Sequence, residues 1–406
     1  MGLGSTTAPL RSALGTAVPE RPFAVRFWDG TVLPATIPGG APEFRVHSPR
    51  ALGHALLAPG QLGLSRAYVS GELEVDDLDA LLALLRDWKP PPLDGAAKRA
   101  LVLGAVRAAG IMRPPRPPAV ELRPRGQRHS VERDARAVRH HYDVSNDFFS
   151  LFLDESMTYS CAIFEDPARD DESLESAQVR KRETICRKLA LAPGERVLDV
   201  GCGWGAFPIH AATKYGVHVV GITLSEPQAA LARQRAAAAG VADRVEIRVM
   251  DYRDLRGERF DAIASIGMVE HVGAVQLDEY AATLARLLEP GGRLLNHGIA
   301  RLRHGEAEAG PFSERYVFPD AAPMHLSRVL LALERAGFVC EHVEGYGAHY
   351  ARTLAHWAQR LDEHAAEGAR LAGAQRMRVW RLYLRGARGG FETGFTSIYQ
   401  VRCRRA

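Results

Sequence analysis

The residues with the clearest chemical potential lie between Val197 and Gly205, which read V-L-D-V-G-C-G-W-G. Glycines at 201, 203 and 205 leave backbone amides bare, so an anionic ligand can approach the main chain closely. Helical composition resumes at Phe207, and Pro208 falls in a first turn where its missing N–H costs nothing. The positive end of that helix adds to the pull on an anion. Asp199, just before the turn, can orient it or hold a ligand amine. Glu270 beside His271, and the pair His140-His141, have metal-ligand types, but adjacent residues do not converge as ligands at i and i+4 would. No metal is expected.

A strand, glycine turn and helix also open a dinucleotide site, so the glycines alone leave NAD open. Their spacing is G-x-G-x-G rather than G-x-G-x-x-G, and Asp199 falls inside the strand. That arrangement resembles the first motif of S-adenosylmethionine (SAM) methyltransferases. On this reading the amides around Gly201, Gly203 and Gly205 take the amino-acid end of SAM. Asp251, closing a later strand, is placed to accept from the adenine amine, with Tyr252 beside the ring. The segment Gly221 to Gln228 lacks the acid that often takes ribose hydroxyls, and Ser225 to Gln228 reads as an N-cap with its partner. Gln228 therefore stands evenly between a capping role and a ligand contact.

These residues need a scaffold. Apolar runs at 197–200, 217–222, 245–250, 260–266 and 293–297 alternate with helical patterns at 228–239 and 277–288, and late runs follow at 338–343 and 397–402. Strands alternating with helices give an α/β fold with a Rossmann-like, doubly wound parallel sheet. Ahead of it, Phe23 to Trp28 and Glu43 to His47 flank Asp29-Gly30 and Gly39-Gly40 and read as a small antiparallel element. An amphipathic helix with Leu78, Leu81, Leu82, Leu84 and Leu85 follows, stopped by prolines at 90–92. The expected organisation is a loose tail over 1–20, a small α+β domain over 21–112, an Arg/Pro-rich linker over 113–130 and a catalytic domain over 131–406.

The chain of 406 residues is 46% hydrophobic and 25% charged, in the range of globular proteins. Its net charge of +4 hides an asymmetry: Lys98 to Arg139 holds eleven basic residues against Glu121, Glu132 and Asp134. That segment is a solvated linker or a contact to an anionic membrane surface. Without RNA-binding motifs or interleaved aromatics, it does not point to nucleic acid. Five cysteines without framework spacing suit a reducing cytoplasm, and no apolar run is long enough to span a bilayer.

Taken together, the motifs resemble those of the cyclopropane fatty acid synthase family, including the mycolic acid cyclopropane synthases. The likeness runs through His141-Tyr142-Asp143, Asn146-Asp147-Phe148, Met157 to Ala162, the glycine turn, Thr223-Leu224-Ser225 with Gln228, and Gly267 to Gly273. It continues through Tyr316 to Pro319 and His349 to Leu354 with Trp357, while Leu64 to Leu73 is similar to the N-terminal domain of longer bacterial members. The resemblance implies a class I SAM methyltransferase that adds the SAM methyl to a cis double bond of a phospholipid acyl chain, giving a cation that loses a proton to bound bicarbonate and closes a ring. It assigns Cys161, Glu270, His297 and Tyr350 to the bicarbonate site, and Tyr159, Ser160, Gly201, Gly203, Thr223, Gln228, Asp251 and Tyr252 to SAM.

Further expectations follow from the resemblance. The enzyme would work in the cytoplasm, peripherally on the inner membrane surface, with unsaturated phospholipid acyl chains as partners; a homodimer stays open. An acyl cation needs dry aromatic walls, for which Phe148, Phe149, Phe152 and Tyr159 are candidates, although each is read more readily as core. Two departures stand out: Ala387 occupies a position where many members carry cysteine, and Asp320-Ala321-Ala322-Pro323-Met324 replaces the usual Gly, Leu, Pro and Ser.

Overall fold

The computed structural model describes residues 6–39, 42–110, 113–122, 145–301, 310–318 and 323–406. His140 to Asp143 and Pro319 to Ala322 lie outside the described residues. The chain divides into two compact units.

The first unit holds residues up to Arg123 together with Gly310–Tyr316 and Gly373–Gly386, two segments that the sequence places in the catalytic domain. Its sheet has the order β2-β1-β3-β4, formed by β1 (Ala24–Arg26), β2 (Val32–Leu33), β3 (Glu43–Val46) and β4 (Leu73–Val75). β1 and β3 pair in parallel, so the expected antiparallel element is corrected; the antiparallel partner of β1 is the short β2, which follows the Asp29-Gly30 turn. The expected loose tail is corrected too. Ala8–Ala17 is a helix, and its Leu10 packs with Ala105 and Ala108 of the helix Gly95–Ala109. Within the basic segment, Glu121 is buried, gripped by Arg66 through two bonds of 2.7 and 2.6 Å and by the Tyr316 hydroxyl at 3.0 Å. That stretch is an anchored part of the unit.

The second unit contains a seven-stranded sheet of order β10-β11-β9-β8-β5-β6-β7. Its strands are β5 (Arg196–Val200), β6 (His218–Thr223), β7 (Val245–Val249), β8 (Phe260–Ile266), β9 (Leu288–Arg301), β10 (Phe338–Gly345) and β11 (Thr396–Arg405). This is the class I methyltransferase arrangement. β5 and β8 are covered on both faces, which is why both read as near-continuous apolar runs. The all-parallel expectation fails at one strand: β11 is antiparallel to both neighbours, inserted between β9 and β10. The helix expected from Leu277 starts earlier, at Val269, and bends at Gly273, whose φ of 73° breaks the helical run.

Candidate active site

Between β5 and β8 the strand order reverses, and open α/β sheets leave a crevice beyond the strand ends at such a point. A cavity of about 170 Å³ opens there, walled in part by Tyr159, Ser160, Asp199, Gly201, Gly203, Thr223, Gln228, Asp251 and Tyr252. Of the residues expected to hold SAM, Gly205 is absent from this wall. It caps the helix Ala206–Tyr215 in the left-handed region, and a Cβ there would stand 3.0 Å from that of Ala232. Its role is helix packing.

The turn is fixed from below, because the amides of Gly201 and Cys202 both donate to the Ile222 carbonyl, at 3.0 and 2.9 Å. Gly201 has a φ of 85°, and a Cβ would come within 2.9 Å of Met268 Cγ, so both conformation and space call for glycine. Thr223 Oγ1 donates to Gln228 Oε1 at 2.8 Å, and the Ser225 hydroxyl accepts from the Gln228 amide at 3.4 Å. Gln228 thus belongs to the cap and to the cavity wall at once. Asp251 is gripped by Arg253, which donates to its two oxygens at 2.9 and 2.7 Å, so much of the acceptor capacity expected for adenine is already engaged.

The segment Met157 to Ser160 hangs on the helix Leu174–Lys188. Gln178 Nε2 donates to the Ser160 and Thr158 carbonyls at 2.9 and 3.3 Å, and Lys181 Nζ donates to Ser160 Oγ at 2.9 Å. Sequence reasoning missed both; the available signal was their i, i+3 spacing on one helix face. Tyr159 stacks on Trp357 at 5.1 Å. Phe148, Phe149 and Phe152 are fully buried against one another and lie outside the wall of this cavity.

Behind Gly267, a residue of the cavity wall, lie the groups assigned to proton removal. Glu270 sits in the first turn of the helix Val269–Leu287; its Oε1 is 3.9 Å from where a Gly267 Cβ would stand. The Gly267 amide donates to the His297 carbonyl at 2.8 Å, so this glycine meets the side chain of Glu270 and the main chain of His297. Glu270 is half-buried as a residue, but its carboxylate is enclosed: it accepts from the Ile299 amide, while its buried Oε2 has no partner among the described residues. Burial pushes its carboxyl up to about 7.

His297 Nε2 is likewise buried and unpartnered among the described residues. Its other nitrogen is controlled by a chain: Lys188 Nζ donates to Gln400 Oε1 at 2.7 Å, and Gln400 Nε2 lies 3.2 Å from His297 Nδ1. A lysine can only donate, so the Gln400 oxygen faces it and the amide N–H faces Nδ1. Nδ1 therefore accepts, and the ring proton sits on Nε2. Burial, with the charges of Lys181 and Lys188, holds the imidazole down to about 3, so it stays neutral. Replacing Gln400 with Leu releases this tautomer. The expected result is a turnover lowered about tenfold, the worth of one hydrogen bond, with unchanged S-adenosylhomocysteine (SAH) affinity by calorimetry.

Cys161 is fully buried, with its Sγ 3.8 Å from the Tyr346 carbonyl, and burial keeps the thiol protonated. The Tyr346 ring stands 6.1 Å from that of His297. Tyr350 lies one helical turn beyond Tyr346, its ring 4.6 Å from Phe391 and 6.0 Å from Trp357. The geometry thus links the His297 ring to Cys161 through Tyr346, and sets the Glu270 carboxylate beside Gly267, whose amide is held by the His297 main chain. His271, unlike Glu270, lines the cavity.

Comparison with known proteins places this geometry in context. The family model for mycolic acid cyclopropane synthetase matches residues 129–401. The chain is 37% identical over 403 residues to a probable fatty acid methyltransferase of Mycobacterium tuberculosis, covering 95% of this chain and 92% of that protein. It is 34% identical over 367 residues to the cyclopropane-fatty-acyl-phospholipid synthase of Escherichia coli, covering 90% and 88%. Among solved structures, mycolic acid cyclopropane synthase CmaA1 complexed with SAH and CTAB superposes with a TM-score of 0.62 at 33% identity, over 67% of this chain and 98% of that one.

Proposed function

Because the chain belongs to the mycolic acid cyclopropane synthetase family and is a SAM-dependent methyltransferase, we propose that it alkylates the cis double bond of an unsaturated phospholipid acyl chain and closes a cyclopropane ring. When bound, SAM supplies the methyl group and bicarbonate the base. The observation that carries this reading is that two residues meeting Gly267 of the cofactor cavity, Glu270 by its carboxylate and His297 by its main chain, each keep a buried, unpartnered atom, Oε2 and Nε2, among the described residues. A neutral imidazole presenting an N–H is a donor for a small oxyanion, and Glu270 supplies an acceptor for the O–H of a bicarbonate-like group. Both atoms are buried from solvent, which a reaction through a carbocation requires.

Work at a membrane surface is part of the proposal. Among the described residues no helix is long and apolar enough to cross a membrane. In the helix Gly95–Ala109, Val102, Leu103 and Val106 are exposed alongside Lys98, Arg99 and Arg107, the pattern of an interfacial helix on anionic lipid. A second product is supported by the similarity to a fatty acid methyltransferase: the same cation, deprotonated elsewhere, gives a methylene-branched acyl group, which a separate hydride donor would reduce to a methyl branch. Incubation with SAM and vesicles of cis-monounsaturated phospholipid is expected to add one CH₂ per modified chain. Far-upfield ring protons in the product NMR spectrum mark the cyclopropane and vinylidene protons the branched alternative. Unmodified lipid across several head groups removes the proposal.

A further inference from the structure

Lys181 and Asp199 are both buried and both line the cofactor cavity, yet they form no ion pair. Asp199 Oδ1 has no hydrogen-bond partner among the described residues. The ammonium of Lys181 donates to Ser160 Oγ at 2.9 Å, and no carboxylate of the described residues lies within 4.0 Å of it. Asp154, the other acid whose charge it feels, is occupied: its oxygens accept from the amides of Ser156 and Thr158 at 3.0 and 2.9 Å, and Arg182 approaches to 3.9 Å. A lone buried ammonium is costly, and burial lifts the Asp199 carboxyl to about 7; the charged form of each is stabilised when an opposite charge arrives.

The amino-acid end of SAM is a zwitterion, with one ammonium and one carboxylate on the same carbon. We propose that Asp199 and Lys181 form a split ion pair that receives it, Asp199 taking the ammonium and Lys181 directing the Ser160 hydroxyl toward the carboxylate. An ammonium has no acceptor, so Lys181 occupies a lone pair of Ser160 Oγ and leaves the hydroxyl hydrogen free to point into the cavity. The positive charge behind that hydroxyl strengthens its bond to an anion. Lys181 is accordingly a positioning residue, acting through Ser160. Burial pulls its ammonium down to about 8, so near neutral pH the charge is largely kept.

This inference rests on the SAM reading of the cavity, and the test separates the two. Binding of SAH and of 5′-methylthioadenosine, which keeps the adenosine and sulfur but lacks the amino-acid end, is measured by calorimetry for wild type, Lys181→Met, Lys181→Gln and Ser160→Ala. Lys181→Met is expected to weaken SAH about 10- to 100-fold, the range for a charge-assisted hydrogen bond, and methylthioadenosine less than about twofold. Lys181→Gln, which keeps a donor for Ser160, is expected to fall between, and Ser160→Ala to cost less in the Lys181→Met background than alone. Equal weakening of both ligands, or none, assigns Lys181 to the scaffold and overturns the inference. A wild-type protein that binds neither ligand overturns the cofactor reading instead.

Discussion

Glu270→Gln lowers the rate of lipid alkylation by about 10² to 10⁴, the span of a positioned proton-transfer group, while SAH affinity stays within about threefold of wild type. The substitution keeps the shape of the side chain and its bond from the Ile299 amide. It replaces one acceptor oxygen by a donor nitrogen and removes the ability to hold a proton, so on the proposed mechanism the O–H of a bicarbonate-like group loses its acceptor. The pH profile provides an independent readout. A carboxyl raised by burial to about 7 is ionised only above that value, so wild-type kcat/KM rises with pH through about 7 and the Gln variant lacks that limb. Full activity in the variant, or loss of SAH binding in step with activity, returns Glu270 to a structural role.

Gly298→Ala has an effect of the same order by a steric route. A Cβ at this position of β9 would stand 2.2 Å from Val269 Cγ1 and 3.3 Å from Glu270 Oε2, so the helix start carrying both residues must move. Overpacking of this kind costs about 1–3 kcal/mol of stability, and a shift of an ångström at a reacting group costs roughly 10² in rate. Thermal unfolding and lipid turnover measure the two losses. The opposing change Val269→Ala, made in the Gly298→Ala background, opens space for the new methyl and is expected to restore much of the activity. Retained activity in Gly298→Ala alone would show that the Val269 turn yields freely and that Glu270 tolerates displacement.

How much of this was legible depended on whether a feature was local. β8 was readable to the residue because a strand buried on both faces is an unbroken apolar run, and the glycine turn was readable because its conformation demands glycine. The direction of β11 was not, since Ile398 and Val401 are equally apolar in a parallel or an antiparallel strand. Lys181 was invisible for another reason: its helix is rich in charge, and nothing along the chain distinguishes Lys181 from exposed neighbours such as Arg187 until Ser160 folds onto it. Gln400 is separated from His297 by 103 residues and meets it only through strand pairing. Gln228 showed the opposite limit: two roles competed in the sequence, and the structure puts its main-chain amide in the cap while its side chain, held by Thr223, lies on the cavity wall.

The placement of β11 also has a consequence for synthesis. Ribosomes deliver the chain from the amino end, so β9 and β10 emerge before the strand that belongs between them. Until residues 396–405 arrive, each of those strands presents an open hydrogen-bonding edge, a template for pairing with other nascent chains. His297 waits as long for its amide partner on Gln400. Loss of this segment through a late frameshift or carboxy-terminal trimming therefore does more than shorten the protein, because it leaves a gap in the middle of a sheet and frees the imidazole to adopt the wrong tautomer.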